Sequence, residues 1–222
     1  MPQVLAELDQ LYRLGYRSVF LADDNFTVDR QHAKALLAEL AHWNRRQDAG
    51  PVTLSTQVSL DAARDDELLA LCARAGINTV FIGLETPNET SLRESSKRQN
   101  LVQSVAGQID RFMAHGIVVI SGLIVGFDAD GPDIFERQRQ FVASLPIPIF
   151  SLGALVAPTQ TPLYERLRTE GRLIPGMLRN TATPWSNNLQ PLQMSREELL
   201  TGVQDLGRAI YSPQAFGDRL VQ

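Results

Sequence analysis

Residues 76–97 read GINTVFIGLETPNETSLRESSK, from Gly76 to Lys97. The stretch opens with a glycine that can close a helix. Ile77, Thr79, Val80, Phe81 and Ile82 follow, a β-branched and aromatic run that signals a buried strand, although periodicity alone does not separate it from a short helical segment. The run ends in Gly83-Leu84-Glu85, so a carboxylate stands where the strand stops. Thr86-Pro87-Asn88-Glu89 then turns the backbone and caps a helix. Lys97 comes twelve residues after Glu85. Ligands of parallel α/β folds meet the carboxyl ends of the strands, which makes Glu85 and Lys97 a candidate pair. The plainer alternative has Glu85 capping the next helix and Lys97 in solvent.

On the N-terminal side, an apolar stripe of Val4, Leu5, Leu8, Leu11 and Tyr12 predicts a helix over 2–14, ended by Gly15. A strand is expected at Ser18–Ala22, running into Asp23-Asp24-Asn25. A second helix spans 30–46, and Gly50-Pro51 breaks the chain before a strand at 52–57. Asp65, Asp66 and Glu67 open a third helix, where acids suit the positive end of its dipole. On the C-terminal side the pattern predicts a helix over 99–115 and a strand over 117–125. A helix over 132–144 with Pro132 at its start, a strand over 149–156 and a short helix ending at Gly171 follow. Residues 174–192 carry no period and read as a covering loop. Ser195 with the acids behind it starts a helix to about Tyr211, and a last short helix follows Pro213.

Strands alternating with helices argue for a parallel sheet in an α/β fold, either open and doubly wound or part of a barrel. The 222 residues hold 21 basic and 25 acidic side chains, for a net charge of −4. With no basic tract, a phosphate-contacting nucleic-acid face is disfavoured. No apolar run has the roughly 18 residues of a membrane span. The single cysteine, Cys72, permits no internal disulfide, which fits a cytoplasmic protein. One thiolate cannot by itself hold an iron–sulfur cluster or a structural zinc.

Four strand ends carry polar or glycine residues that would share one face: Asp23, Asp24 and Asn25; Ser55, Thr56 and Gln57; Glu85; and Gly126 with Asp128. The Asp pair suits a magnesium ion, a cationic ligand, or only the capping of the following turn. Gly122 and Gly126 allow close approach of a ligand, or of a helix packed on the strand. His32, His42 and His115 have no ligand spacing, and no protein-held metal site is expected.

The segments SVFLADDNF, VTLSTQVSLD, GINTVFIGLETP with SLRESSKRQN, SGLIVGFDAD and TPLYERLRTEGRL, in this order, resemble radical S-adenosylmethionine (radical SAM) enzymes. They are most similar to the group whose full-length members carry an N-terminal cobalamin-binding domain. The tail, NLQPLQMSREELLTGVQDLGRAIYSPQAF, is similar to a C-terminal extension of one branch of that group. The resemblance implies a partial, TIM-like βα barrel with its first strand missing, a core over 1–172, and a loop and helical extension over 173–222. It implies S-adenosylmethionine as cofactor and a 4Fe–4S cluster whose Cys-x3-Cys-x2-Cys ligands are not in this chain. Cobalamin enters as a further cofactor through an absent N-terminal domain.

Carried over by motif, Asp23, Asp24 and Asn25 take the place of the family's Gly-Gly-Glu segment, which meets the ligand's ammonium. Thr56 and Gln57 fall at the methionyl part or ribose. Glu85 falls at the ribose hydroxyls, and Lys97 at the ligand carboxylate. Gly122 and Gly126 flank the adenine, and Ala157 and Pro158 cover the purine. The resemblance assigns no catalytic residue. The implied partners are a small-molecule substrate and a missing N-terminal segment or adjacent chain that carries the cluster. Two other readings stand beside this one: a cluster-free binding module or inactive remnant, and a barrel enzyme using Asp23, Asp24 and Glu85 with a divalent metal.

Overall fold

Strands and helices alternate along the chain, and this alternation sets the architecture. The computed structural model describes residues 2–94, 104–177 and 182–221. In chain order the elements are α1 (Pro2–Arg13), β1 (Ser18–Phe20), α2 (Arg30–Arg45), β2 (Thr53–Gln57), a 3-10 turn (Leu60–Arg64), α3 (Asp66–Ala75), β3 (Ile77–Glu85), α4 (Glu89–Glu94) and α5 (Val105–Ala114). There follow β4 (Val118–Val125), α6 (Ile134–Ala143), β5 (Ile149–Ala154), α7 (Pro162–Thr169), α8 (Arg196–Ile210) and α9 (Pro213–Leu220). The sheet order is β1-β2-β3-β4-β5, with β1 parallel to β2 and β2 parallel to β3. Strands in chain order with helices between them make an incomplete βα barrel, the α/β class that the strand–helix alternation predicts.

The described residues divide into two compact units: 2–83 with 104–120, and 84–94 with 121–177 and 182–221. In the first, helix starts are fixed by side chains that accept orphan N–H groups. Asp29 accepts from His32 N and Asp65 from Leu68 N, each at 3.0 Å. Gly76 ends α3 at φ +92°, and a Cβ there would lie 2.4 Å from Asn44 Nδ2 and 2.8 Å from Val52 O. Only glycine meets both the left-handed backbone and the close approach. The buried Asn44 uses its amide as a clasp, donating to Val52 O (2.7 Å) and Ala75 O (3.0 Å) and accepting from Val52 N (2.7 Å). The core around it holds Leu37, Leu40, Leu54, Leu68, Ile77 and Phe112, all fully buried.

In the second unit, Ser195 and Glu198 form a reciprocal capping box at the start of α8, with each side chain accepting the other's N–H. Gly126, at φ +108°, ends β4 where Leu199 of α8 packs, and a Cβ there would be 2.9 Å from Leu199 Cδ2. The C-terminal α9 is held by a buried cation. Arg219 donates to the carbonyls of Ile147, Pro148, Ile210 and Ala215 and sits against the rings of Phe150, Tyr211 and Phe216.

Several boundaries differ from expectation. β1 stops at Phe20, although Leu21 N still donates to Ser55 O at 2.8 Å. A 3-10 turn precedes α3, and α6 starts at Ile134, after Pro132. Within 174–192, the described residues are pinned by two isolated antiparallel bridges, Leu173 to Leu189 and Thr183 to Ser186.

Candidate functional site

The residues singled out at the strand ends fall into two groups, one in each unit. In the first, the loop after β1 is wired to the end of β2: Phe26 N donates to Gln57 O at 2.9 Å, and Thr56 Oγ1 to Leu21 O at 3.0 Å. The pleat decides which side chains are free. β2 buries Leu54 and Thr56 and leaves Thr53, Ser55 and Gln57 half-exposed. Thr56 is fully buried, so it anchors the loop that carries Asp23 and Asp24. Gln57 lies on the opposite, more open face of β2, in register with Phe81 of β3.

Within the loop, Asp23 Oδ1 accepts from Asn25 N at 2.9 Å, and Asn25 Oδ1 accepts from Thr27 N and Oγ1 at 3.3 and 3.1 Å. These are Asx turns, so the side chains of Asp23 and Asn25 shape the loop. Asp24 is exposed, and its carboxylate has no partner among the described residues, which leaves it available to a cation.

In the second unit the backbone at Glu85 is unusual. Its φ is +67°, and Thr86 N donates to Leu84 O at 2.9 Å across it. A three-residue turn with positive φ at a non-glycine centre is the rare, strained form of the γ-turn. Two residues downstream, Asn88 caps α4: its Oδ1 accepts from Thr90 N (3.2 Å) and its carbonyl from Leu92 N (2.9 Å). The capping role considered for Glu85 therefore belongs to Asn88. Along β3, Val80, Ile82 and Leu84 are buried while Phe81, Gly83 and Glu85 alternate onto the more open face. On β4, Gly122 and Ile124 likewise occupy the half-exposed side of the pleat.

Two further polar groups organise these strand ends. Asp130 is 1% exposed and accepts four hydrogen bonds, from Gly126 N (2.9 Å), Phe127 N (3.0 Å), Asn88 Nδ2 (2.9 Å) and Ser91 Oγ (2.8 Å). It thereby fastens the turn after β4 to the turn after β3. Asp128 instead reaches Arg172 Nη2 at 2.7 Å and also Arg166. Burial pushes the Asp128 carboxyl up, but the two guanidinium groups outweigh it and hold its pKa below the usual carboxylate range.

The covering segment closes over the end of β5. Ala157 is fully buried; its N–H donates to Asn188 Oδ1 at 2.8 Å and its carbonyl accepts from Asn188 Nδ2 at 2.7 Å. Pro158 is half-buried, and its carbonyl accepts from Thr161 Oγ1. Phe127, Leu155, Ala157, Leu167 and Leu189 form an apolar cluster here. Lys97 lies outside the described residues.

Cys72 is buried in α3, and burial pushes its thiol up to about 12, so it is a core residue with no thiolate to offer. The chain does not fit a 4Fe–4S cluster. Among the described residues no three His, Cys, Asp or Glu side chains converge to hold a metal ion. The donor chemistry suits parts of a zwitterionic nucleoside, unit by unit: in the first, Asp24 is exposed and of the charge that attracts an ammonium; in the second, Glu85 is of the type that accepts from hydroxyl groups, and the apolar residues of the type that face a base.

The residues that sequence reasoning missed are Asp130, Gln138 and Asn188, while Asn88 entered only as part of the capping segment 86–89. A signal existed for Gln138, which stands four residues from both Ile134 and Val142 on the apolar stripe of α6. An amide on a buried stripe calls for a partner.

Comparison with known proteins gives two family matches. The model of the radical SAM superfamily matches residues 1–141, and that of a domain of unknown function, DUF4070, matches residues 161–222. The chain is 34% identical over 221 residues to an uncharacterized methyltransferase of Synechocystis, covering 98% of this chain and 40% of that protein. It is 36% identical over 173 residues to hopanoid C-2 methylase of Rhodopseudomonas palustris, covering 78% of this chain and 33% of that one. Its fold is similar to that of the radical SAM methyltransferase TsrM from Kitasatospora setae, whose structure has cobalamin and a [4Fe-4S] cluster bound. That likeness has a TM-score of 0.63 at 19% identity and covers 95% of this chain and 41% of TsrM. The chain thus spans about two fifths or less of the length of these relatives.

Proposed function

Because this chain belongs to the radical SAM superfamily, we propose that it forms the S-adenosylmethionine-binding part of a radical SAM enzyme of the methyl-transferring, cobalamin-associated group. In this reading residues 1–172 are the core and 173–222 the cover, and the cluster is held by residues outside these 222. When bound, S-adenosylmethionine supplies a methyl group or, on reductive cleavage, a carbon-centred radical. The part of this chain is to bind, orient and cover it in the cytoplasm. Asp24 attracts the ammonium, with Asp23, Asn25 and Thr56 shaping its loop. Gln57 lines the open face. Glu85 accepts from the ribose hydroxyls, since a carboxylate takes two adjacent donors at once. Gly122 and Gly126 flank the base, Ala157 and Pro158 wall it off, and Lys97 neutralises the ligand carboxylate.

The observation that carries this reading is the strained turn at Glu85. A carboxylate at a strand end, on a backbone conformation that ordinary packing disfavours, supports a position kept for a ligand. Calorimetric titration of the full-length gene product with S-adenosylmethionine tests it. Wild-type binding that falls with Glu85→Ala supports the reading, and unchanged affinity in a folded variant removes it.

A second reading, a cluster-free binding module or remnant of the same fold, is favoured by the lone, buried Cys72. It requires that the full-length gene product, reconstituted anaerobically, take up no stoichiometric iron while still binding the nucleoside.

A further inference from the structure

Gln138 of α6 is fully buried. Its Nε2 donates at 3.3 Å to the carbonyl of Glu85 and at 3.3 Å to that of Ile124. Its Oε1 is buried without a hydrogen-bond partner. Turning the amide over would set that oxygen against two carbonyl oxygens, so the nitrogen must face the strands. An amide that leaves half its capacity unpaired in the interior is a poor choice for packing alone, because a methionine or leucine would fill similar volume without burying an unpaired polar atom of its own. Its nitrogen has one distinctive target. The Glu85 carbonyl is turned out of the ordinary strand direction by the positive-φ turn that Thr86 N closes.

We propose that Gln138 is a positioning residue: it holds the strained turn at Glu85 by fixing its carbonyl, and so aims the Glu85 carboxylate. The bond to Ile124 O refers that turn to β4, so both strand ends are set from one side chain. The argument rests on the reading of Glu85 as a ligand contact, and the test separates the two. In the full-length gene product, Gln138→Met and Gln138→Leu are compared with wild type, Glu85→Ala and the double variant Glu85→Ala with Gln138→Met. The readouts are amide exchange at Thr86, affinity for S-adenosylhomocysteine, and the thermal midpoint.

The expected result has three parts. Thr86 exchanges at least about tenfold faster in the apolar variants while the midpoint changes little, because losing the buried unpaired oxygen offsets the donor taken from the two carbonyls. S-adenosylhomocysteine affinity falls about tenfold. The double variant binds no more weakly than Glu85→Ala alone, as two residues acting through one contact are not additive. Unchanged Thr86 protection in a folded Gln138→Met protein overturns the proposal. So does a loss of affinity in Glu85→Ala with none in Gln138→Met, which leaves the reading of Glu85 standing. Unchanged affinity in Glu85→Ala overturns both. If neither apolar variant folds, the amide is a folding requirement and the positioning role is overturned.

Discussion

Asn88 and Asp130 meet side chain to side chain, Asn88 Nδ2 donating to Asp130 Oδ1 at 2.9 Å across forty-two residues of sequence. One belongs to the turn after β3 and the other to the turn after β4. The carboxylate has no cation beside it among the described residues and is satisfied by four donors.

Replacing Asp130 with Ala leaves those donors buried and unpaired. The expected loss is about 3 kcal/mol or more of unfolding free energy, read by chemical denaturation. Asp130→Asn should also destabilise, because its NH2 group must face donors on one side. A loss below about 0.5 kcal/mol would mean that water replaces the carboxylate and that the turns hold themselves.

Glu85 separates strain from binding. Glu85→Ala keeps the positive φ and removes the carboxylate, so ligand affinity should fall by about 1.5–3 kcal/mol with the fold intact. Glu85→Gln should lose less, since the amide keeps one acceptor oxygen. Glu85→Gly should lose affinity like Ala yet gain up to about 1 kcal/mol of stability, because glycine takes φ +67° without a Cβ clash. Parallel calorimetry and thermal unfolding read both quantities.

Asp128 gives a pH signature. Its folded-state pKa is depressed below that of the unfolded chain, so its pairing with Arg172 and Arg166 stabilises fully above the unfolded value of about 4 and is lost as pH falls through the folded value. The thermal midpoint should therefore be insensitive to this group above about pH 5 and fall on acidification toward pH 3. Asp128→Asn should lower the midpoint at pH 7 and flatten that acid limb. An acid limb of equal steepness in the variant would show that other carboxylates control it.

Arg219 holds α9 through carbonyl oxygens alone, with no carboxylate partner among the described residues. Arg219→Ala should cost about 2–3 kcal/mol and free the amides of α9 to exchange while those of α8 stay protected. Equal loss of protection along both helices would show that they unfold as one.

Iron is the fifth measurement. These 222 residues, with one cysteine buried in α3, are expected to take up no 4Fe–4S cluster on anaerobic reconstitution. Stoichiometric iron with a visible cluster band is the contrary result.

The elements that the sequence made legible are those whose causes are local. Gly76, the acids at 65–67 and Ser195 with Glu198 fix helix ends within a few residues of their own position, and each lies where its pattern predicts. The apolar runs of β3 and β4 announce themselves for the same reason. What stayed hidden depends on partners far along the chain. Asn44 is a plain asparagine until Val52 and Ala75 are folded around it, and Asp130 is one acid of a turn until Asn88 and Ser91 reach it. The backbone inversion at Glu85 leaves no mark in the letters either, because any non-glycine residue there would be equally unexpected. Thr56 and Gln57 look alike as adjacent polar residues at a strand end, yet the two-residue period sends one into the helical layer and the other to the open face.

The two margins of the sheet are unequal, and this makes it a ladder with one free rail. At β5 the segment after residue 181 doubles back, Thr183 O accepts from Ala154 N at 3.0 Å, and Ala182 lies so close over Gly153 that a Cβ there would be 2.6 Å away. That rail is already occupied by the chain itself. Among the described residues β1 pairs only with β2, and beside it Val4, Leu8, Leu11, Val19, Phe20 and Leu21 line a cavity of about 340 Å3. An edge with open hydrogen-bonding groups next to apolar surface is a template for another strand. Among the described residues, the margin beside β1 is where a further strand, from the same gene product or another copy, would pair, and an edge that pairs once is then closed to the next.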